Sequence, residues 1–250
     1  MSERILRIAK EQSAIDCACS PEDFDKTESV FVRSEKRSAA RKYLNLPFFC
    51  QLVTYGNNVV ASVRNGEIEK IVRDYCGKFS AEHCFETPAL HELDAALAPF
   101  GARSRNMAEY FLPKSEKIEI PFCPYPVKIL TKEDFSALYL PQWSNALCGK
   151  RAEDDALCAA AYDGEQIVGL AGASADCESM WQIGIDVLPA YRRRGIAAAL
   201  TSRLAREVFL RGKIPFYCAA WSNIKSVRNA LKCGFYPAWA ELTCFERELI

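Results

Sequence analysis

Three consecutive arginines, Arg192, Arg193 and Arg194, precede Gly195 and a run of good helix formers in "DVLPAYRRRGIAAALTSRLAREV", residues 186–208. Such a cluster can recognise nucleic acid, solvate an ordinary helix start, or seat a bound anion. The chain balances 32 basic residues against 32 acidic ones, so no overall positive field gathers a polyanion or an anionic membrane surface. Three arginines without interleaved exposed aromatics also fall short of a nucleic-acid groove. A strand that ends at Pro189 and enters a helix through "RRRGIA" leaves backbone N–H groups unpaired at the positive end of the helix dipole, which is an anion seat. Gly195 lets backbone approach a phosphate closely, and the small Ala197 keeps the next position clear. A merely solvated helix start leaves the glycine unexplained, because glycine inside a helix costs roughly 1 kcal/mol against alanine.

The elements that must position this seat are set by periodicity. "VKILT" reads as a strand and "KEDFSALYLPQWSNAL" as one or two short helices broken at Pro141. Two apolar runs around Asp163 and Gly164 form a hairpin, since Asp-Gly accepts the positive φ of a tight turn. "WQIGIDVLP" is the next strand. Ile196, Leu200, Leu204 and Val208 then recur every four residues and give a helix with one apolar stripe. "IPFYCAAW" is a strand, "NIKSVRNALKCG" a helix and "YPAWAELTCFE" a last strand, so the order is that of a mixed α/β domain. The proline-rich "KSEKIEIPFCPYP", residues 114–126, separates it from the N-terminal part, placing domains at 1–120 and 127–250.

"VLPAYRRRGIA" resembles motif A of the GNAT superfamily of acyl-CoA N-acyltransferases, with Arg192, Gly195 and Ala197 at its Arg/Gln-x-x-Gly-x-Gly/Ala positions. "NIKSVRNALKCGF" supplies a second match, with Asn223, Ser226, Gly234 and Phe235 at the family's positions. The resemblance covers about residues 127–246. It implies a GNAT-like α+β mixed sheet and binding of acetyl-CoA, or another acyl-CoA, as cosubstrate without a metal. The pyrophosphate would rest on the amides of Arg193, Arg194, Gly195, Ile196 and Ala197, the pantetheine arm would pair with backbone at Ile185 and Val187, and Asn223 would face the cofactor where two parallel strands splay.

Acyl transfer to an amine needs a neutral nucleophile, an oxyanion donor and a proton for the departing thiolate. Asp186 lies on the motif A strand, pointing to the face opposite Ile185 and Val187, and Glu241 interrupts the apolar run "AWAELTC". Both are candidate bases, and each is equally readable as a hydrogen-bonded structural acid. The family's frequent glutamate earlier on the strand meets Trp181 and Gln182 here, and its frequent tyrosine seven residues after Asn223 is Ala230. The hydroxyls of Ser226, Tyr217 and Ser222, or the ammonium of the collapsing intermediate itself, remain as proton donors, with Ala230→Tyr expected to raise activity or leave it unchanged if the ring fits. Two functions stay open: N-acetyl transfer to a small-molecule or peptide amine, and non-catalytic acyl-CoA binding or sensing.

The N-terminal part reads as a hairpin turning at Gly56 and Asn57, a helix "GEIEKIVRDYCGKF", a short strand "CFE", a helix "PALHELDAALAPFG" and a strand "NMAEYFLP". Where motif A would sit it has only "VRNGEI", so it is a degenerate GNAT-like unit or an unrelated smaller α/β domain. After Phe235 one strand remains where the family commonly has two, so a neighbouring domain, or a second subunit in a homodimer, would complete the sheet. Twelve cysteines without a CxxC pair, beside two histidines, read as buried free thiols rather than metal ligands. The charged "MSERILRIAKEQ" has no apolar signal core, and the expected location is cytoplasmic.

Overall fold

The computed structural model describes residues 2–246. Along the chain, α1 (Glu3–Cys17) is followed by β1 (Val30–Arg33), β2 (Cys50–Thr54), β3 (Val60–Val63), α2 (Gly66–Lys78), α3 (Thr87–Leu97) and β4 (Ala102–Pro113). Next come β5 (Val127–Leu130), α4 (Lys132–Phe135), β6 (Asp155–Asp163), β7 (Gln166–Ser174) and β8 (Met180–Val187). Helix α5 (Ile196–Leu210), β9 (Ile214–Ala219), α6 (Ile224–Lys232) and β10 (Phe235–Glu246) complete it.

The described residues divide into two compact units that do not match the expected boundary: 2–6 with 111–237, and 7–110 with 238–246. The proline-rich stretch does not divide them. Ile118, Cys123 and Tyr125 pack against the core of the first unit, so this segment belongs with strands β5 to β9. The reassignment of 238–246 has an equally local cause, because Ala240 to Cys244 pair antiparallel with Thr54 to Cys50.

In the unit of residues 111–237, antiparallel pairing joins β5 to β6, β6 to β7 and β7 to β8, and β9 then runs parallel to β8. The turn between β6 and β7 has Gly164 at φ +58°. Ile196, Leu200, Leu204 and Val208 are all buried, and they share a core cluster with Ala159, Ala161, Val168, Ala171 and Ile183 from one face of the sheet. The opposite face carries Cys158, Ala160 and Leu170 and packs against Phe135, Trp143, Ala146 and Leu147, from the end of α4 and the segment after it. Period-2 alternation along the strands therefore sorts one sequence into two cores.

In the other unit the strand order is β1-β3-β2-β10-β4. Leu52, Val63, Ile68, Val72, Leu93, Leu97 and Leu242 form its core with α2 and α3. The expected strand at Cys84–Glu86 is a turn leading into α3; Cys84 and Phe85 are buried in the core from non-strand backbone, so apolarity alone misread them. Helix α1 and strand β1 are further elements of the N-terminal part.

Candidate active site

The arginine-glycine loop joins β8 to α5. Arg193 and Gly195 both have left-handed backbone, at φ +64° and +84°. Gly195 is the N-cap of α5 and offers no side-chain cap. Among the described residues no acceptor in the protein takes the N–H groups of Arg193, Arg194, Gly195, Ile196, Ala197 or Ala198, the first bond of the turn being Ala199 N–H to the Gly195 carbonyl. Left-handed residues alternating along a loop turn successive amides toward one side, which makes a concave anion nest. Helix α2, where the other half has "VRNGEI", is built differently: the Asn65 side chain accepts from the amides of Glu67 and Ile68 at 3.1 and 3.0 Å. Its helix start is capped by its own chain.

The three arginines have different partners. Arg192 Nε donates to the Val187 carbonyl at 3.0 Å, and Arg194 Nη1 donates to the Tyr125 hydroxyl at 2.6 Å while Nη2 reaches the Ala190 carbonyl at 3.2 Å. Two guanidinium groups thus brace the loop. Arg193 is exposed and makes none of these bracing bonds, so its guanidinium can turn to a ligand, while Arg192 and Arg194, bonded to neutral groups, keep their charge beside the loop.

Beside the loop, pairing between β8 and β9 runs from Met180–Ile214 to Gln182–Phe216 and stops, although β8 continues to Val187 and β9 to Ala219. The two parallel strands part there. Leu188 N–H bonds the Val168 carbonyl on the β7 side, so by alternation the backbone groups of Ile183, Ile185 and Val187 point to the other, open edge. Their side chains pack toward the core beneath α5. Gln182, Gly184 and Asp186 occupy the opposite face.

On that face Asp186 is engaged: its carboxylate accepts from Asn145 N–H at 2.8 Å, Asn145 Nδ2 at 2.7 Å and Ala146 N–H at 2.9 Å. This is the structural of its two readings, a carboxylate anchoring a loop to the sheet. Gly172 and Gly184, paired across β7 and β8, let that loop lie directly on the strands; a Cβ at either would come within 1.9 and 1.8 Å of the Ala146 and Asn145 carbonyl oxygens. A cavity of about 50 Å³ remains beside them, lined by Asn145, Cys148, Asp155, Ser174, Gln182 and Gly184 among others. Asp155 was not a sequence candidate. Its available signal was an acid heading the apolar strand "DALCAAA", where no charge is expected.

Glu241 belongs to the unit of residues 7–110 and 238–246, not to the one carrying the loop. Its buried carboxylate is bound by Arg41, by Trp239 Nε1 at 2.7 Å and by Gln51 Nε2 at 3.2 Å, and Arg41 also pairs with buried Asp16. Glu241 is therefore part of a satisfied internal charge network of that unit.

Ser226, on α6, shares a hydrogen bond of 2.8 Å with the Tyr217 hydroxyl on β9. Burial pushes the Tyr217 hydroxyl above its usual range, so it stays protonated through neutral pH. Asn223 caps α6, its side chain accepting from Ser226 N–H at 3.3 Å. Ala230 is wholly buried in the core cluster that includes Tyr217. A tyrosine at that position would have to displace the core, so the condition that the ring fits is not met for Ala230→Tyr.

Among the described residues no helix is long and apolar enough to cross a membrane, and no group of three or more His, Cys, Asp or Glu is placed to hold a metal ion. All twelve cysteines are free.

Residues 119–235 match the model of the Acetyltransferase (GNAT) family. Similar solved structures include a GCN5-related N-acetyltransferase-like protein from Streptococcus suis, 18% identical over 60% of this chain and 68% of that one, with a TM-score of 0.43. A GCN5-related N-acetyltransferase from Kribbella flavida is 15% identical over 61% and 63% of the two chains, with a TM-score of 0.46, so this chain spans less than two thirds of its length. The aminoglycoside N-acetyltransferase AAC(6')-Iy in complex with CoA is 19% identical over 48% of this chain and 93% of that one, with a TM-score of 0.37. No curated protein matches. Over residues 119–235 the chain is thus similar to the Acetyltransferase (GNAT) family.

Proposed function

We propose that this domain moves an acetyl group from acetyl-CoA to a primary amine. One observation carries the reading: among the described residues six consecutive amides, Arg193 to Ala198, have no acceptor, at a helix N-terminus whose N-cap has no side chain. Such a nest suits a pyrophosphate, with Arg193 adding charge. The open edge of β8 at Ile183, Ile185 and Val187 offers backbone pairing to the amide-bearing pantetheine arm, as an added strand would take it. Arg192 and Arg194 contribute by holding the loop, Arg192 through the Val187 carbonyl. In this reading Asn223, the N-cap of α6 four residues beyond the end of β9, would face the same opening.

In this reading the amine nitrogen attacks the thioester carbon, and the departing thiolate takes a proton from the hydroxyl pair of Tyr217 and Ser226, which are 2.8 Å apart. A thiol pKa near 8.5 makes the thiolate a tolerable leaving group, so modest acid assistance suffices. The amine class is open to small molecules and peptides alike. A sensing or binding role is the second reading, and one observation favours it: the carboxylates of Asp186 and Glu241 are both occupied by internal partners. An amine-library screen with thiol detection separates the two. Release of free CoA with any amine supports transfer, whereas acetyl-CoA binding in calorimetry with no thiol released from any amine supports sensing.

A further inference from the structure

We propose that Asp155 takes up the proton that the acceptor amine loses, through a water held in the cavity beside Gln182 and Gly184. This rests on the transferase reading and supplies the base that reading lacks. Asp155 heads β6 and is 3% exposed, and only one of its oxygens is used: Oδ2 accepts from the Tyr139 hydroxyl and from Cys148 N–H, both at 3.1 Å. Among the described residues Oδ1 has no hydrogen bond. Asp155 lines the adjoining cavity, where Oδ1 can accept from a water.

The cavity fits that role by size and lining. Its volume of about 50 Å³, counted as space for water centres, exceeds the roughly 10–15 Å³ that one water needs on that measure, and Asn145, Ser174 and Gln182 supply polar partners. Its place on the strand matters as much. Gln182 is the last β8 residue paired with β9, and Gly184 is the next residue on the same face, so the cavity sits where the strands part. A thioester on the open edge of β8 would be at that point.

The surroundings hold the carboxyl where a base at neutral pH must be. Burial raises Asp155 to about 6, opposed by the bonds from Cys148 and Tyr139 and by the Arg151 charge, and aided by Asp176. Arg151 and Asp176 form an ion pair of 2.6 Å, so the cation is largely spent on its own partner. Tyr139 and Cys148 face Asp155 from the segment after α4, Arg151 from the turn before β6, Asp176 from the segment after β7, and Cys158 from its own strand. In the reaction the C–N bond forms, the nitrogen passes its proton to the cavity water, and that water passes one to Asp155 Oδ1. The C–S bond breaks, sulfur leaves with the electron pair and takes the proton from Tyr217, and Asp155 and Tyr217 then exchange protons with solvent.

The test is the pH profile of kcat at saturating acetyl-CoA with the amine found by the screen, for wild type, Asp155→Asn and Tyr139→Phe, with carbon-13 NMR titration of the Asp155 carboxyl. Wild type should lose activity below pH about 6, with the carboxyl titrating at the same point. Asp155→Asn should lower kcat by about 10²-fold or more and abolish the acid limb, with acetyl-CoA affinity unchanged. Tyr139→Phe removes a bond to the charged form and should move limb and titration upward together. An acid limb that survives in folded Asp155→Asn, or a carboxyl titrating near 4, overturns the assignment to Asp155 while leaving transfer intact. No CoA release by wild type, with Asp155 still titrating near 6, instead removes the transferase reading and this proposal with it.

Discussion

Gly195 offers a way to separate backbone strain from charge at the phosphate seat. The glycine has φ +84°, and a Cβ built on it would meet only the Phe122 carbonyl oxygen, at an ordinary 3.6 Å. There is room for a side chain, so the cost of Gly195→Ala, Gly195→Gln and Gly195→Glu in the free protein is the left-handed backbone itself, about 1 to 2 kcal/mol in each. The three should melt at nearly the same temperature. Binding should split them. A carboxylate about 5 Å from a phosphate charge at an effective dielectric of about 20 is repelled by about 3 kcal/mol, or about two decades in Kd. The neighbouring Arg192 and Arg194 have only neutral partners and keep their charge in all three variants, so their attraction for the phosphate cancels from the comparison. Calorimetry with acetyl-CoA should therefore rank Ala and Gln together and Glu at least a hundredfold weaker, with the gap narrowing at high salt. If folded Gly195→Glu binds acetyl-CoA as tightly as Gly195→Gln, no phosphate sits at these amides.

Arg41→Ala should destabilise the protein by about 3 to 5 kcal/mol in denaturant unfolding, because it leaves buried Asp16 and Glu241 without their cation. Gly184→Ala should cost more than a simple glycine exchange, visible as a melting temperature well below that of Gly195→Ala, since its Cβ would stand 1.8 Å from a backbone oxygen. In single-turnover transfer, Ser226→Ala and Tyr217→Phe should each slow the reaction by about tenfold to a hundredfold, and full activity in both would remove the hydroxyl pair from the mechanism. Asp155 also leaves a mark on stability. Its folded pKa of about 6 lies above the ordinary 3.8, so the folded state binds more protons between them, and its penalty grows as pH rises through that window to about 3 kcal/mol. Asp155→Asn should accordingly be more stable than wild type above pH 6, with no gain near pH 3.5 in thermal melts.

What the sequence by itself determined is what short-range periodicity encodes. The four-residue stripe of Ile196, Leu200, Leu204 and Val208 became the buried face of α5, and Asp163-Gly164 became the turn between β6 and β7. Gly195 after Arg192 marked a loop whose amides stand open, because a left-handed cap without a side chain is written into one residue type. The tertiary structure alone decided which distant groups meet. Asp186 and Glu241 looked alike in sequence, each a lone acid in an apolar strand, yet one anchors Asn145 and Ala146 while the other is paired with Arg41, 200 residues away along the chain. Asp155 went unnoticed because an unbonded oxygen and a cavity are properties of what surrounds a residue, and "CFE" was misread because burial without ladder pairing looks the same in a string of letters. Residues 238–246 joined the other unit for the same reason: strand identity is a local preference, but the choice of partner, here β2, is settled by hydrogen bonds between segments that only the folded chain brings together.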